Sequence, residues 1–71
     1  KGVAQLVLGH ELIHYRDHAV WGVSYSQRGS ESEVNAYRWE IRHAGRFISD
    51  VNYLREYREE ASSSCQLYGG C

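Results

Sequence analysis

The apolar positions of the chain fall into three stretches with helical spacing, separated by short segments of polar and small residues. The first spans residues 2–19 and carries Val3, Ala4, Leu6, Val7, Leu8, Leu12 and Ile13. These occupy more than one face of a helix, so the pattern predicts a helix buried between other elements and central to the fold. Residues 22–30, with Gly22, Ser24, Ser26 and Gly29 among polar neighbours, read as a loop. A second helix then carries Val34, Tyr37, Ile41, Ala44, Ile48 and Val51 at steps of three and four, which is one apolar stripe. Ser30 followed by Glu33 has the form of a capping box that would open this helix. Ser49-Asp50 breaks or bends it, and Asp50 is a candidate N-cap for a third helix over residues 51–61. After Ala61, the run Ser62-Ser63-Ser64 and the pair Gly69-Gly70 signal a flexible tail. The expected organisation is therefore a mainly α core over residues 1–61 and a tail over 62–71, with no strand pattern and no internal repeat.

Length changes this picture by asking what holds such a core together. The 71 residues make at most one domain, and a chain of this size buries only about 60% of its surface on folding, so a staple such as a metal would matter to stability. Cys65 and Cys71 flank a short Gln-Leu-Tyr-Gly-Gly stretch, a spacing that closes a small disulfide loop in an exported protein and equally suits two free thiols. It matches neither a zinc ribbon nor a redox CxxC pair. Eight basic against nine acidic side chains leave a formal charge of −1, which supplies no basic footprint for nucleic acid and no polybasic stretch for a membrane surface. The apolar run Val3 to Leu8 is broken by Gln5 and falls far short of the roughly 20 residues of a membrane span. The chain reads as soluble. It has no methionine and starts on what already looks like a helical turn, so it is expected to be a fragment or a processed piece.

The chemistry is concentrated in Gly9-His10-Glu11-Leu12-Ile13-His14. On a helix, residues four apart share a face with Cβ atoms about 6 Å apart, so His10 and His14 can reach one ion at roughly 2.0 to 2.1 Å. Glu11 is rotated from them by about 100° and cannot easily join as a ligand. It is placed instead to take a proton from a water on the open side of the metal and to pass it to a leaving amine. Given four histidines and seven glutamates, a chance HExxH has a probability of roughly one in fifty, so the motif is suggestive alone and is strengthened by lying on a helix expected to be buried.

With these residues the sequence resembles the zincin metallopeptidases, whose signature helix appears as His10-Glu11-Leu12-Ile13-His14. The branch that continues with a glycine and a third histidine is excluded, because Asp17 and Val20 occupy those positions. The gluzincin branch takes its third ligand from a glutamate on the next helix. Here Glu31-Ser32-Glu33-Val34-Asn35-Ala36-Tyr37 is similar to the acidic motif of small bacterial and phage gluzincins. Leu8-Gly9-His10-Glu11-Leu12-Ile13-His14 with Asp17 also resembles effector- and toxin-type metallopeptidase domains and a mitochondrial inner-membrane protease family. The resemblance covers residues 8 to about 41. It implies a zincin-like core in which the active-site helix packs on a second helix, with a substrate-aligning β-sheet upstream that this chain is expected to lack, so that the 71-residue piece alone is expected to have little or no activity.

Helical geometry ranks the two glutamates independently. At 100° per residue, Glu33 falls roughly 50° from the centre of the second helix's apolar stripe and Glu31 roughly 110° away, so Glu33 is the expected third ligand and Glu31 a first-turn acid. Glu33 as the mere capping-box carboxylate is the competing role. Asp17, one turn past His14, can accept the remaining ring N–H of a ligating histidine, or is simply a solvated acid near Arg16. His18 extends the histidine row but reads as surface, since a fourth protein ligand would close the position catalysis needs open. Trp21, Tyr37 and Trp39 read as core or cover, and Arg38, Arg42, His43 and Arg46 as a solvated helix face. Tyr25, Tyr37 or His43 are candidates to steady an oxyanion, with no spacing rule to choose among them. The expected function is a zinc metallopeptidase acting on a peptide or protein substrate, with His10, His14 and Glu33 holding Zn2+ and Glu11 as general base. The alternative is a zinc-stapled helical binding module or an inactive truncated relative.

Overall fold

A computed structural model describes residues 2–71. It contains α1 (Val3–Trp21), a 3-10 turn (Gly22–Gln27), α2 (Gly29–Phe47) and α3 (Val51–Leu67), with no strand among the described residues. The mainly α class is as expected, with the histidine-bearing helix packed on the second helix.

The order of the layer differs from the expectation. α2 is the central helix, with α1 on one side and α3 on the other, and α1 does not pack on α3. The molecule measures 40 × 21 × 13 Å, so it is a sheet of helices one helix thick. α1 lies at the edge. Its apolar residues divide between two directions: Leu6 is fully buried towards α2, while Val7, Leu8, Leu12 and Tyr15 remain 52–76% exposed on the far side. A pattern that is apolar all round predicts burial all round, but α1 has one helix neighbour among the described residues.

Close approach within the layer depends on small residues. Gly9 is buried, and a Cβ there would lie 1.9 Å from the Trp39 ring, so an alanine would have to displace the indole. On α2, Ala36 and Ala44 are fully buried where the flanking helices cross. Leu6, Ala44 and Ile48 form the main core cluster, with Trp39, Leu54 and Tyr57 packed against it.

The helix ends show which local signals prevailed. α1 stops at Gly22, whose φ of 59° lies in the region that favours glycine. The capping box does not form: α2 begins at Gly29 with Arg28 at the N-cap and no side-chain cap, which places Ser30 inside the helix. Arg28 lies over the Trp21 ring at 3.8 Å and forks onto Glu31 at 3.0 and 2.7 Å, which anchors the turn and leaves Glu33 free for other partners. Asp50 is the N-cap of α3, accepting from the amides of Asn52 and Tyr53 at 2.9 and 3.1 Å. α3 then runs through the serine run to Leu67, past the expected end at Ala61. Ala61 and Cys65 are both buried, and that tertiary burial outweighs the weak helix propensity of three serines. Cys65 and Cys71 form a disulfide, and Gly70 packs against Val34 so closely that a Cβ would lie 2.4 Å from it. The segment expected as a tail is thus helical to Leu67 and tied back onto α2.

Candidate metal centre

His10 and His14 project from successive turns of α1 towards α2, their ring centroids 4.8 Å apart. Glu33, in the second turn of α2, places Oε1 at 3.1 Å from His10 Nε2 and 3.3 Å from His14 Nε2. The structure brings these three together as one group whose ligand atoms all lie within 4.8 Å of one another. Glu31 is turned away and exposed, in its ion pair with Arg28. The wheel ranking of the two glutamates corresponds to these positions.

The opposite ring nitrogens determine what the site can hold. His10 Nδ1 is hydrogen-bonded to Glu40, a buried carboxylate that also accepts from the Tyr57 hydroxyl. His14 Nδ1 is bonded to Ser32 Oγ at 2.7 Å, and Ser32 donates its only hydrogen to Asp17 Oδ2 at 2.8 Å. Ser32 must therefore accept from His14, and an ionised Glu40 can only accept from His10. In the tautomer with the hydrogen of each imidazole on Nδ1, both Nε2 lone pairs are turned towards the Glu33 oxygen. A cation among the three atoms then satisfies all of them. Ligands about 2.0 to 2.1 Å from a tetrahedral zinc lie roughly 3.3 to 3.4 Å apart, and the two nitrogen–oxygen separations are close to that. The donor set of two imidazoles and a carboxylate suits zinc.

Asp17 reaches the site through Ser32 rather than by direct contact with a histidine. It also takes Arg16 at 3.0 and 3.3 Å and Asn35 at 3.3 Å, and, being buried, it is not the solvated acid of the alternative reading. Burial pushes its carboxyl up, but hydrogen bonds from Ser32, Arg16 and Asn35 and the Arg16 charge more than reverse this and hold it below the usual carboxylate range. Tyr57 is pushed well above the ordinary phenol range, first by burial and then by its bond to Glu40.

Glu11 is exposed on α1, one position beyond His10, among the uncovered apolar residues Val7, Leu8, Leu12 and Tyr15. His18 is exposed and packs edge-on against Tyr25 at 5.0 Å. Among the oxyanion candidates, Tyr37 sets its ring against His10 at 4.7 Å and stacks on Tyr68 at 6.2 Å. His43 is elsewhere: its Nδ1 bonds the Trp39 carbonyl and it lines a separate groove with Ile13, Arg38 and Arg42.

Ser32 and Glu40 are absent from the set expected from sequence, yet they orient the two histidines. The signal for Glu40 was available, because seven residues on a helix return to within about 20° of the starting direction, placing it on Glu33's face two turns later. Nothing in the spacing distinguishes Ser32 from Ser30. Comparisons of the chain with protein-family models, curated proteins and solved structures find no match.

Proposed function

We propose that the chain is a zinc metallopeptidase core in which His10, His14 and Glu33 hold the ion and Glu11 is the general base. The observation that carries the reading is the convergence of His10 Nε2, His14 Nε2 and Glu33 Oε1, with the opposite ring nitrogens backed by Glu40 and Ser32. Zinc bound there would supply Lewis acidity, lowering the pKa of a coordinated water towards about 7. Glu11 is rotated about 100° from His10 along α1, outside the ligand group and exposed to solvent. With the ion bound, Glu11 would take the proton of the attacking water and return it to the amine that leaves. Tyr37, whose ring packs on His10, is the one of the three oxyanion candidates in contact with a ligand residue. The resemblance of His10-Glu11-Leu12-Ile13-His14 to the zincin signature supports the same assignment.

A second reading is favoured by the thin layer and small core: the ion is a staple, and the chain is a zinc-stabilised helical binding module. The two readings separate on chemistry. Zinc-loaded protein incubated over long times with a peptide library is expected to give at most slow, low-yield cleavage, detected by mass spectrometry, that vanishes with a chelator. A library left intact favours the staple. Both readings require the same centre, for which Glu33→Ala is expected to weaken zinc binding by at least tenfold and Glu31→Ala to leave it nearly unchanged, measured by competition with a chromophoric chelator. The reverse ranking would remove Glu33 from the ligand set.

A further inference from the structure

We propose that Glu40 and Tyr57 are positioning residues of the metal centre, which makes α3 part of a site whose ligands all lie on α1 and α2. The inference rests on the zinc reading and deepens it. Glu40 sits on α2, and its side chain is 8% exposed. A carboxylate this far from water needs partners, and it has two, the Nδ1–H of His10 and the hydroxyl of Tyr57 from α3. One oxygen goes to each, so the carboxylate is clamped between a ligand and the third helix. Tyr57 in turn packs against the cluster of Leu6, Ala44 and Ile48, which holds the hydroxyl where Glu40 requires it.

The arrangement is asymmetric. His14 is backed by a neutral hydroxyl, Ser32, with the charge of Asp17 one bond further away. His10 is backed directly by a charge. A carboxylate on the far nitrogen fixes the tautomer and ring orientation and makes the near nitrogen a stronger donor to a cation. His10 is then the stronger of the two imidazole donors, and Glu40 is the residue that makes it so. A purely structural Glu40 would join the three helices equally well with or without metal, so metal affinity and the ligand field separate the two roles.

Glu40→Gln keeps the size and an acceptor for His10 while removing the charge. It is expected to weaken zinc binding 10- to 100-fold and to shift the visible absorption of the cobalt-substituted protein, with the helical circular dichroism of the metal-free protein unchanged. Tyr57→Phe, which leaves the carboxylate but frees it to turn, is expected to weaken zinc severalfold in the wild-type background and to add nothing in the Glu40→Gln background. Tyr53→Phe, at an exposed neighbour of Tyr57, serves as the control with unaltered affinity. Wild-type affinity and an unshifted cobalt spectrum in Glu40→Gln, with metal lost in His10→Ala, would overturn the positioning role and leave the zinc centre standing. Should Glu40→Gln fail to fold, Tyr57→Phe decides, and wild-type affinity there overturns the proposal. A wild-type chain that takes up no zinc removes the underlying reading and this inference with it.

Discussion

Zinc is expected to raise the melting temperature of this chain by on the order of 20 °C, and His10→Ala or His14→Ala to abolish that increase. The magnitude follows from linkage. An ion present at about 1,000 times its dissociation constant stabilises the folded state by roughly 4 kcal/mol. In a domain of this size each kcal/mol moves the midpoint by about 4 to 8 °C. The effect is large because the rest of the fold contributes little: the buried apolar residues are Leu6, Ala36, Ala44, Ile48, Ala61 and Cys65, three of them alanines. The readout is the zinc-induced increase and not the absolute midpoint. His10→Ala takes a partner from the buried Glu40 and His14→Ala takes one from Ser32, so both variants lose stability before any metal is added. Native mass spectrometry should show one zinc per wild-type chain. A protein refolded with zinc that carries none and melts at the same temperature would end the metal-centre reading.

The same physics explains what could be read from the sequence and what could not. His10 and His14 were legible because helical geometry alone brings residues four apart onto one face. Glu33 was legible because its angle from the apolar stripe sets the side it presents to the neighbouring helix. Asp50 was legible because an N-cap is a local interaction, with donor and acceptor two and three residues apart. The signals that failed were those whose outcome depends on distant partners. Ser30 and Glu33 have capping-box spacing, but Glu33 is drawn to the histidines on α1 and the helix starts earlier. The apolar circumference of α1 predicts burial without saying whether a neighbour exists on each side, and Val7, Leu8, Leu12 and Tyr15 remain uncovered. The serine run in α3 ends a helix by propensity, yet Cys65, buried against α2 and bonded to Cys71, keeps the helix intact beyond it. Ser32 belongs to this group, because its role appears only when α1 brings Asp17 and His14 to it.

Glu11→Gln is expected to leave zinc bound and the fold intact while hydrolysis falls by about 10² to 10⁴. Glu11 is exposed and outside the three-atom ligand group, so glutamine there is a surface change, worth within about 0.5 kcal/mol in stability. What is lost is basicity. Glutamine cannot take the proton of the attacking water, and the loss corresponds to roughly 3 to 5 kcal/mol of transition-state stabilisation. The affected quantity is the rate constant of the chemical step, with zinc content equal in the two proteins, which separates this variant from His10→Ala, where activity falls with the metal. The motif's resemblance to zincins leads to the expectation that substrate alignment needs a sheet edge ahead of α1, and poor alignment slows attack in both proteins alike. The comparison is therefore a ratio, read by mass spectrometry over long incubation at matched zinc loading. Equal cleavage by the two proteins would eliminate Glu11 as the base and with it the hydrolytic mechanism. A wild-type chain that binds zinc through His10, His14 and Glu33 but never cleaves a peptide would instead move the staple reading ahead.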